Sequence, residues 1–192
     1  MRIILCAALL LICQLSCFSQ AEATFQEKVK ECYTKPEFEN IHHRILHEKI
    51  CFKDLAFPEF EIKSLEGDLV NLETFKDKVV VLNFWFTACP PCINEIPDLN
   101  AIYDLFDPSE VLFFAPSTDD PETIIQFQKQ YLKIKSTILP NATHLFRNTL
   151  ASKSGFPTTI IIDRDGTIKH YFSGAVEGVA QMEGMINELL EQ

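Results

Sequence analysis

The chain has 192 residues, 47% of them hydrophobic and 23% charged, with 27 Asp and Glu against 17 Lys and Arg. That balance supports a real core and excludes wholesale disorder, and a formal charge of −10 leaves no electrostatic footprint for nucleic acid. No apolar run reaches the ~18 residues of an ordinary membrane span, so the seven cysteines are the unusual feature of the composition.

Arg2 is followed by uninterrupted apolar sequence from Ile3 to Cys13, extended by Leu15 and Phe18 before polarity returns at Ser19 and Gln20. A charged start, an apolar centre and a small-residue exit form a secretory signal pattern over residues 1–23, cut after Ala23 or, alternatively, after Ser19. The competing reading is a buried N-terminal helix, which would lack the polar face that helices normally carry. Cys17 adds a lipid-anchored form of export, although Gln14 stands where bacterial lipoprotein signals prefer an aliphatic residue. Signal removal takes Cys6, Cys13 and Cys17 and leaves Cys32, Cys51, Cys89 and Cys92. That even set is compatible with disulfides in an oxidising compartment.

Residues 24–56 read as a charged, helix-favouring extension interrupted at Pro36. Within it Cys32 and Cys51 either pair as a structural disulfide or stay separate. His43, His47 and Cys51 share one helix face, yet no acid accompanies them, and neither a metal nor another cofactor is expected. From residue 57 to 192 short strands and helices alternate. Phe60 to Ile62 and Leu69 to Leu72, around Glu66-Gly67-Asp68, predict a hairpin. Val79 to Phe86 predicts a strand buried on both faces, followed by a helix from Pro90 to about Phe106. Val111 to Ala115 predicts a second buried strand. Asp119 or Asp120 can then cap a helix that starts at Pro121 and runs to about Lys133. Thr158 to Asp163 and Thr167 to Phe172 predict paired strands around Arg164-Asp165-Gly166, and Glu177 to Leu190 a closing helix. The fold class is α/β, with a layered sheet flanked by helices.

Cys89-Pro90-Pro91-Cys92, directly after a buried strand and opening a helix, is the strongest chemical signal. Two intervening residues bring the sulfurs within bonding reach across one helical turn. Cys89 would sit at the helix N-terminus, where unpaired amides and the helix dipole favour its thiolate. Cys92 lies one turn inside, suited to resolve a mixed disulfide. Pro90 and Pro91 fit the first turn, where a missing N–H costs little. Two other readings remain: half of a zinc site, which lacks a second ligand pair here, and an inert structural disulfide, which would constrain little chain entropy.

The run Val80 to Cys92 resembles the active-site strand of the thioredoxin superfamily, and Glu95-Ile96-Pro97 sharpens the resemblance to its exported TlpA/ResA-like thiol-disulfide oxidoreductases. It covers residues 57–192, including the hairpin as an N-terminal addition, and leaves 24–56 without a counterpart. Gly155-Phe156-Pro157-Thr158-Thr159 resembles the family's cis-proline loop, and Gly174-Ala175 its late glycine. The resemblance implies a thioredoxin-like fold with a central mixed sheet. It also implies that Pro157 is cis and faces the dithiol, with the Phe156 backbone taking an extended substrate segment. Read without the family, Pro157 is simply a trans strand start. Ala88 departs from the Trp common at that position, which opens the approach to Cys89; Trp85 is retained and is counted with the substrate-binding residues.

Asn83, where thioredoxin itself has a titrating aspartate, cannot transfer a proton and reads as a buried hydrogen-bonder. Glu95, one turn beyond Cys92, is either an acid of raised pKa that accepts the Cys92 proton or a solvated surface residue. Pro97 should kink the helix.

The expected function is therefore exported thiol-disulfide exchange, with Cys89 as nucleophile, Cys92 resolving and Glu95 handling the proton. The implied partners are protein substrates such as apocytochrome c and a membrane electron donor, in a bacterial periplasm. The alternatives are a non-catalytic binding module and a thiol peroxidase. The latter needs a Thr three residues before its nucleophile, whereas Thr87 stands two before Cys89.

Overall fold

In the computed structural model, residues 25–34, 48–150, 152–153, 155–175 and 178–192 are described. The signal pattern, Cys17, His43, His47 and the start predicted for the last helix at Glu177 lie outside them. Residues 25–33 (α1) and 48–52 (α2) are helical. Then follow β1 (Glu61–Lys63), β2 (Leu69–Asn71), α3 (Leu72–Phe75), β3 (Val79–Phe84), α4 (Pro90–Tyr103) and β4 (Val111–Pro116). The chain continues through α5 (Pro121–Gln130), β5 (Thr137–Leu139), a π-helical turn over Leu145–Thr149, β6 (Thr158–Ile162), β7 (Ile168–Ser173) and α6 (Val179–Leu190).

The five-stranded sheet has the order β5-β4-β3-β6-β7, and β1 and β2 form a separate antiparallel hairpin. β3 runs parallel to β4, and β4 to β5, while β6 is antiparallel to both β3 and β7. The mixed sheet of the sequence expectation is thus present. β3 reads Val-Val-Val-Leu-Asn-Phe and is buried at every position, as β-branched residues in a central strand should be.

Alternation along β3 divides the core. Val80, Leu82 and Phe84 face a layer that contains Phe25, Val29, Phe52, Phe146 and Tyr171. Val79 and Val81 face Ile102 of α4 and Met182, Ile186 and Leu189 of α6. The extension is therefore part of the main core. It also extends the sheet edge: Asp54 N–H donates to the Ile168 carbonyl at 2.7 Å, and Ile168 N–H to the Leu55 carbonyl at 2.8 Å. Cys32 and Cys51 are joined as a disulfide, so the Cys51 sulfur is not available as a metal ligand.

Several boundaries differ from the sequence reading. Leu72 leaves the hairpin and starts α3, because the Asn71 side chain accepts from Glu73 and Thr74 N–H in a capping box. β3 stops at Phe84, short of Phe86. α4 ends at Tyr103 and α5 at Gln130, each short of its expected end. β5 was not expected: three residues before Pro140 give little periodicity, and only the parallel edge of β4 makes them a strand.

Candidate active site

The site stands where β3 runs out. Trp85 N–H still donates to the Pro116 carbonyl at 3.1 Å, then the chain leaves the sheet and turns into α4. Asp119 shapes that turn, accepting Thr87 N–H on its carboxylate at 2.6 Å. The sequence reading offered Asp119 or Asp120 as the α5 cap. Asp120 takes that role, accepting Thr123 N–H at 3.0 Å, and leaves its neighbour for the active-site loop. The adjacent Asp-Asp pair before Pro121 was the available signal; which acid went where is a tertiary matter.

Cys89 is the N-cap of α4, and Pro90 and Pro91 fill the first positions. With those two amides absent, the first N–H of the helix able to turn back is that of Cys92, which donates to Cys89 Sγ at 3.3 Å. The two cysteines are disulfide-bonded, with Cα atoms 5.3 Å apart. Both are almost wholly buried, but Ala88, Pro90 and Pro91 around them are exposed, so the sulfurs lie just beneath a small-residue rim. An anion at Cys89 would meet the positive end of the helix and one backbone donor.

Behind the dithiol lies a cluster of Trp85, Ile96, Ala115, Ile124, Phe127 and Ile138. Trp85 is 1% exposed, and its indole N–H donates to the Ala115 carbonyl at 3.2 Å. Its assignment as a substrate-binding residue is corrected on that ground: its ring supports the cysteines from below and presents no surface to a ligand. The partly exposed aromatics beside the cysteines are instead Phe86 and Phe156, packed edge to face at 5.3 Å. Phe86 was missed because it continues an apolar run and reads as strand.

Glu95 is 5% exposed, which removes the solvated-surface alternative. Its Oε1 accepts from Asn83 Nδ2 at 2.8 Å, and the same amide donates to Thr159 Oγ1 at 3.0 Å. Three elements (β3, α4 and β6) are thereby linked through one buried amide beneath the dithiol. Pro97 follows inside α4, exposed, and leaves the carbonyl one turn back without its helical donor.

The Phe156–Pro157 peptide is cis. Pro157 is held from the far side, its carbonyl accepting Gly174 N–H at 2.9 Å. Gly174 has φ 103°, a left-handed conformation that favours glycine. Phe156 packs with Phe86 and also on Phe146 at 4.6 Å. The structure thus gathers Cys89, Cys92, Phe86, Phe156 and Trp85 into one cluster, with the Asn83–Glu95 pair below it. A cavity of about 600 Å3, lined by Phe60, Asn71, Lys76 and Arg164 among others, contains none of these residues.

Residues 54–171 match the AhpC/TSA family. Thiol-disulfide oxidoreductase ResA of a Bacillus cereus strain is 31% identical over 133 residues, covering 69% of this chain and 75% of the relative. The protein of that name from Bacillus thuringiensis subsp. konkukian is 33% identical over 119 residues, covering 61% and 67%. A solved thiol:disulfide interchange protein of the thioredoxin family from Chlorobium tepidum TLS superposes with a TM-score of 0.63 at 21% identity. It covers 72% of this chain and 97% of that one, and shows the shared fold. The chain belongs to the AhpC/TSA family, on its thioredoxin-like, thiol-disulfide oxidoreductase side.

Proposed function

We propose that this protein is an exported thiol-disulfide oxidoreductase that reduces protein disulfides through Cys89 and Cys92. The observation that carries the reading is the position of Cys89: N-cap of α4, its sulfur accepting Cys92 N–H, beneath an exposed rim and in one cluster with Phe156. In the reduced protein the Cys89 thiolate attacks one sulfur of a substrate disulfide. The substrate's S–S bond breaks, a Cys89–substrate disulfide forms, and one substrate thiolate leaves. Cys92 then attacks Cys89 Sγ and releases the second substrate thiol, so two electrons have passed to the substrate and the Cys89–Cys92 bond is restored.

Cys92 must lose a proton to resolve the intermediate. Glu95, buried one turn along the same helix, is the acceptor we assign, oriented by Asn83. The Phe156 backbone precedes β6, which begins at Thr158. In this reading it pairs with an extended substrate segment, so main-chain bonds give affinity with little sequence preference. Re-reduction falls to a membrane electron donor, and apocytochrome c is the candidate substrate that the TlpA/ResA-like resemblance implies. Export to a periplasm, with or without an anchor at Cys17, rests on the pattern of residues 1–23 and the even cysteine set that remains.

Replacing Cys92→Ser in the native host tests the reading, because the resolving step is lost and Cys89 stays joined to its substrates. Covalent partners released by reductant are expected. If none form, and the wild-type dithiol does not reduce a peptide disulfide, the protein is a binding module and not a reductase.

A further inference from the structure

Glu48 is a fully buried acid that the proposed exchange chemistry does not use. It lies in α2, and three donors converge on its two oxygens. Oε1 accepts from the Tyr33 hydroxyl and from Lys153 N–H at 3.1 Å, and Oε2 accepts from the Tyr171 hydroxyl at 3.0 Å. Lys153 N–H also lies 3.1 Å from the Tyr33 hydroxyl oxygen, and Ser152 Oγ lies 2.8 Å from that of Tyr171. The donors come from α1, from β7 and from the backbone that leads to the cis-proline loop. A buried acid is expensive to keep, and an apolar side chain could fill the same space beside Phe52. What an apolar residue could not do is accept from the Lys153 amide and both phenols at once, and so tie that amide to α1 and β7 together.

We propose that Glu48 is a positioning residue for the substrate-binding edge at Phe156–Pro157, acting through the backbone of Ser152 and Lys153. The inference rests on the reading above, in which that edge takes a substrate peptide. Lys153 stands four residues before Pro157, and β6 starts immediately after it, with Tyr171 of β7 paired to Ile160. Lys153 is thus held by Glu48, while Gly155 accepts the Thr158 hydroxyl at 2.8 Å where β6 begins. The Glu48 end is itself braced. Tyr33 follows Cys32 and Glu48 precedes Cys51 by one turn, so the Cys32–Cys51 disulfide clamps the two helices where the acid and phenol meet. Burial first, and then the Glu48 charge, push the Tyr33 phenol far above the ordinary tyrosine range, so it remains a donor throughout the physiological range.

The test compares two substrates on the full mature protein. A disulfide-bridged peptide must use the Phe156 edge, whereas 5,5′-dithiobis(2-nitrobenzoate) needs only access to Cys89. For Glu48→Ala we expect KM for the peptide to rise about tenfold, with kcat and the rate on the small disulfide each within about twofold of wild type. Glu48→Gln keeps an oxygen for Tyr33 and Lys153 and offers its amide to Tyr171, and should restore the peptide KM. If Glu48→Ala does not fold, Tyr171→Phe carries the test. It keeps the ring stacked on Phe52 at 4.7 Å but removes one Glu48 contact together with the Ser152 hydroxyl contact, and the same split at smaller size is expected. Equal slowing on both substrates, or no change on the peptide, overturns the proposal. If wild-type protein exchanges with neither disulfide, the dithiol reading falls and this inference falls with it.

Discussion

Cys89–Cys92 closes a sequence separation of three at the tip of α4, under exposed Ala88, Pro90 and Pro91, whereas Cys32–Cys51 closes one of 19 and ties α1 to α2 against the main core. In the chain-entropy account the longer loop contributes about 3 kcal/mol to stability and the short one about 2. The surroundings separate the two further. Around the first pair the chain supplies a helix N-terminus, one aimed amide and a buried acid. Around the second it supplies Phe25 and Phe52, 5.9 Å apart, and the Tyr33–Glu48 contact. The same bond is thus placed once where a thiolate is favoured and once where two helices have to be held.

That contrast can be broken by exchanging losses. Cys89→Ser should abolish exchange with every disulfide, read as the absence of released thiol, because the Cys92 thiol left behind is 1% exposed and lies inside α4, away from the N-cap position. Replacing Cys32→Ala together with Cys51→Ala should lower unfolding free energy by about 3 kcal/mol in a urea titration, while the Cys89–Cys92 potential stays at its wild-type value. A shift in that potential would mean that the two sites are one unit.

Smaller effects sharpen the comparison. Glu95→Gln retains an oxygen for Asn83, so stability should change by less than about 1 kcal/mol. The pH dependence of thiol reactivity should nevertheless move, because the acceptor no longer titrates. An unchanged profile would remove Glu95 from the proton pathway. On β7, beside the extension, burial holds the His170 imidazole below its ordinary pKa. The unfolded chain then binds the proton more readily than the folded one. Stability from this group is present above the ordinary histidine pKa and declines as pH falls from there toward the depressed folded value. His170→Asn should flatten that decline in urea titrations across the acid range.

The two regions also differ in how much the sequence discloses. Cys89, Cys92 and Asn83 were legible because their meaning is local: a CxxC after a buried strand and one amide within an apolar run. Glu95 was legible as a candidate, but its buried partner is the Asn83 amide of β3, which is itself anchored on Thr159 of β6. Trp85 was misread because tryptophan beside a CxxC suggests a surface, while its indole N–H finds Ala115 beneath the sheet end. The extension was almost opaque. Nothing near Glu48 in sequence announces Tyr171 or Lys153, which lie 123 and 105 residues away. Long-range polar contacts of that kind leave no periodic trace.

The most direct test of this division of labour is differential alkylation with mass spectrometry after equilibration of the mature protein in a graded series of thiol buffers. As the buffer becomes more reducing, Cys89 and Cys92 should become labelled together while Cys32 and Cys51 remain joined. If the Cys32–Cys51 bond opens first, or the two bonds open together, the assignment of exchange to one disulfide and bracing to the other is contradicted.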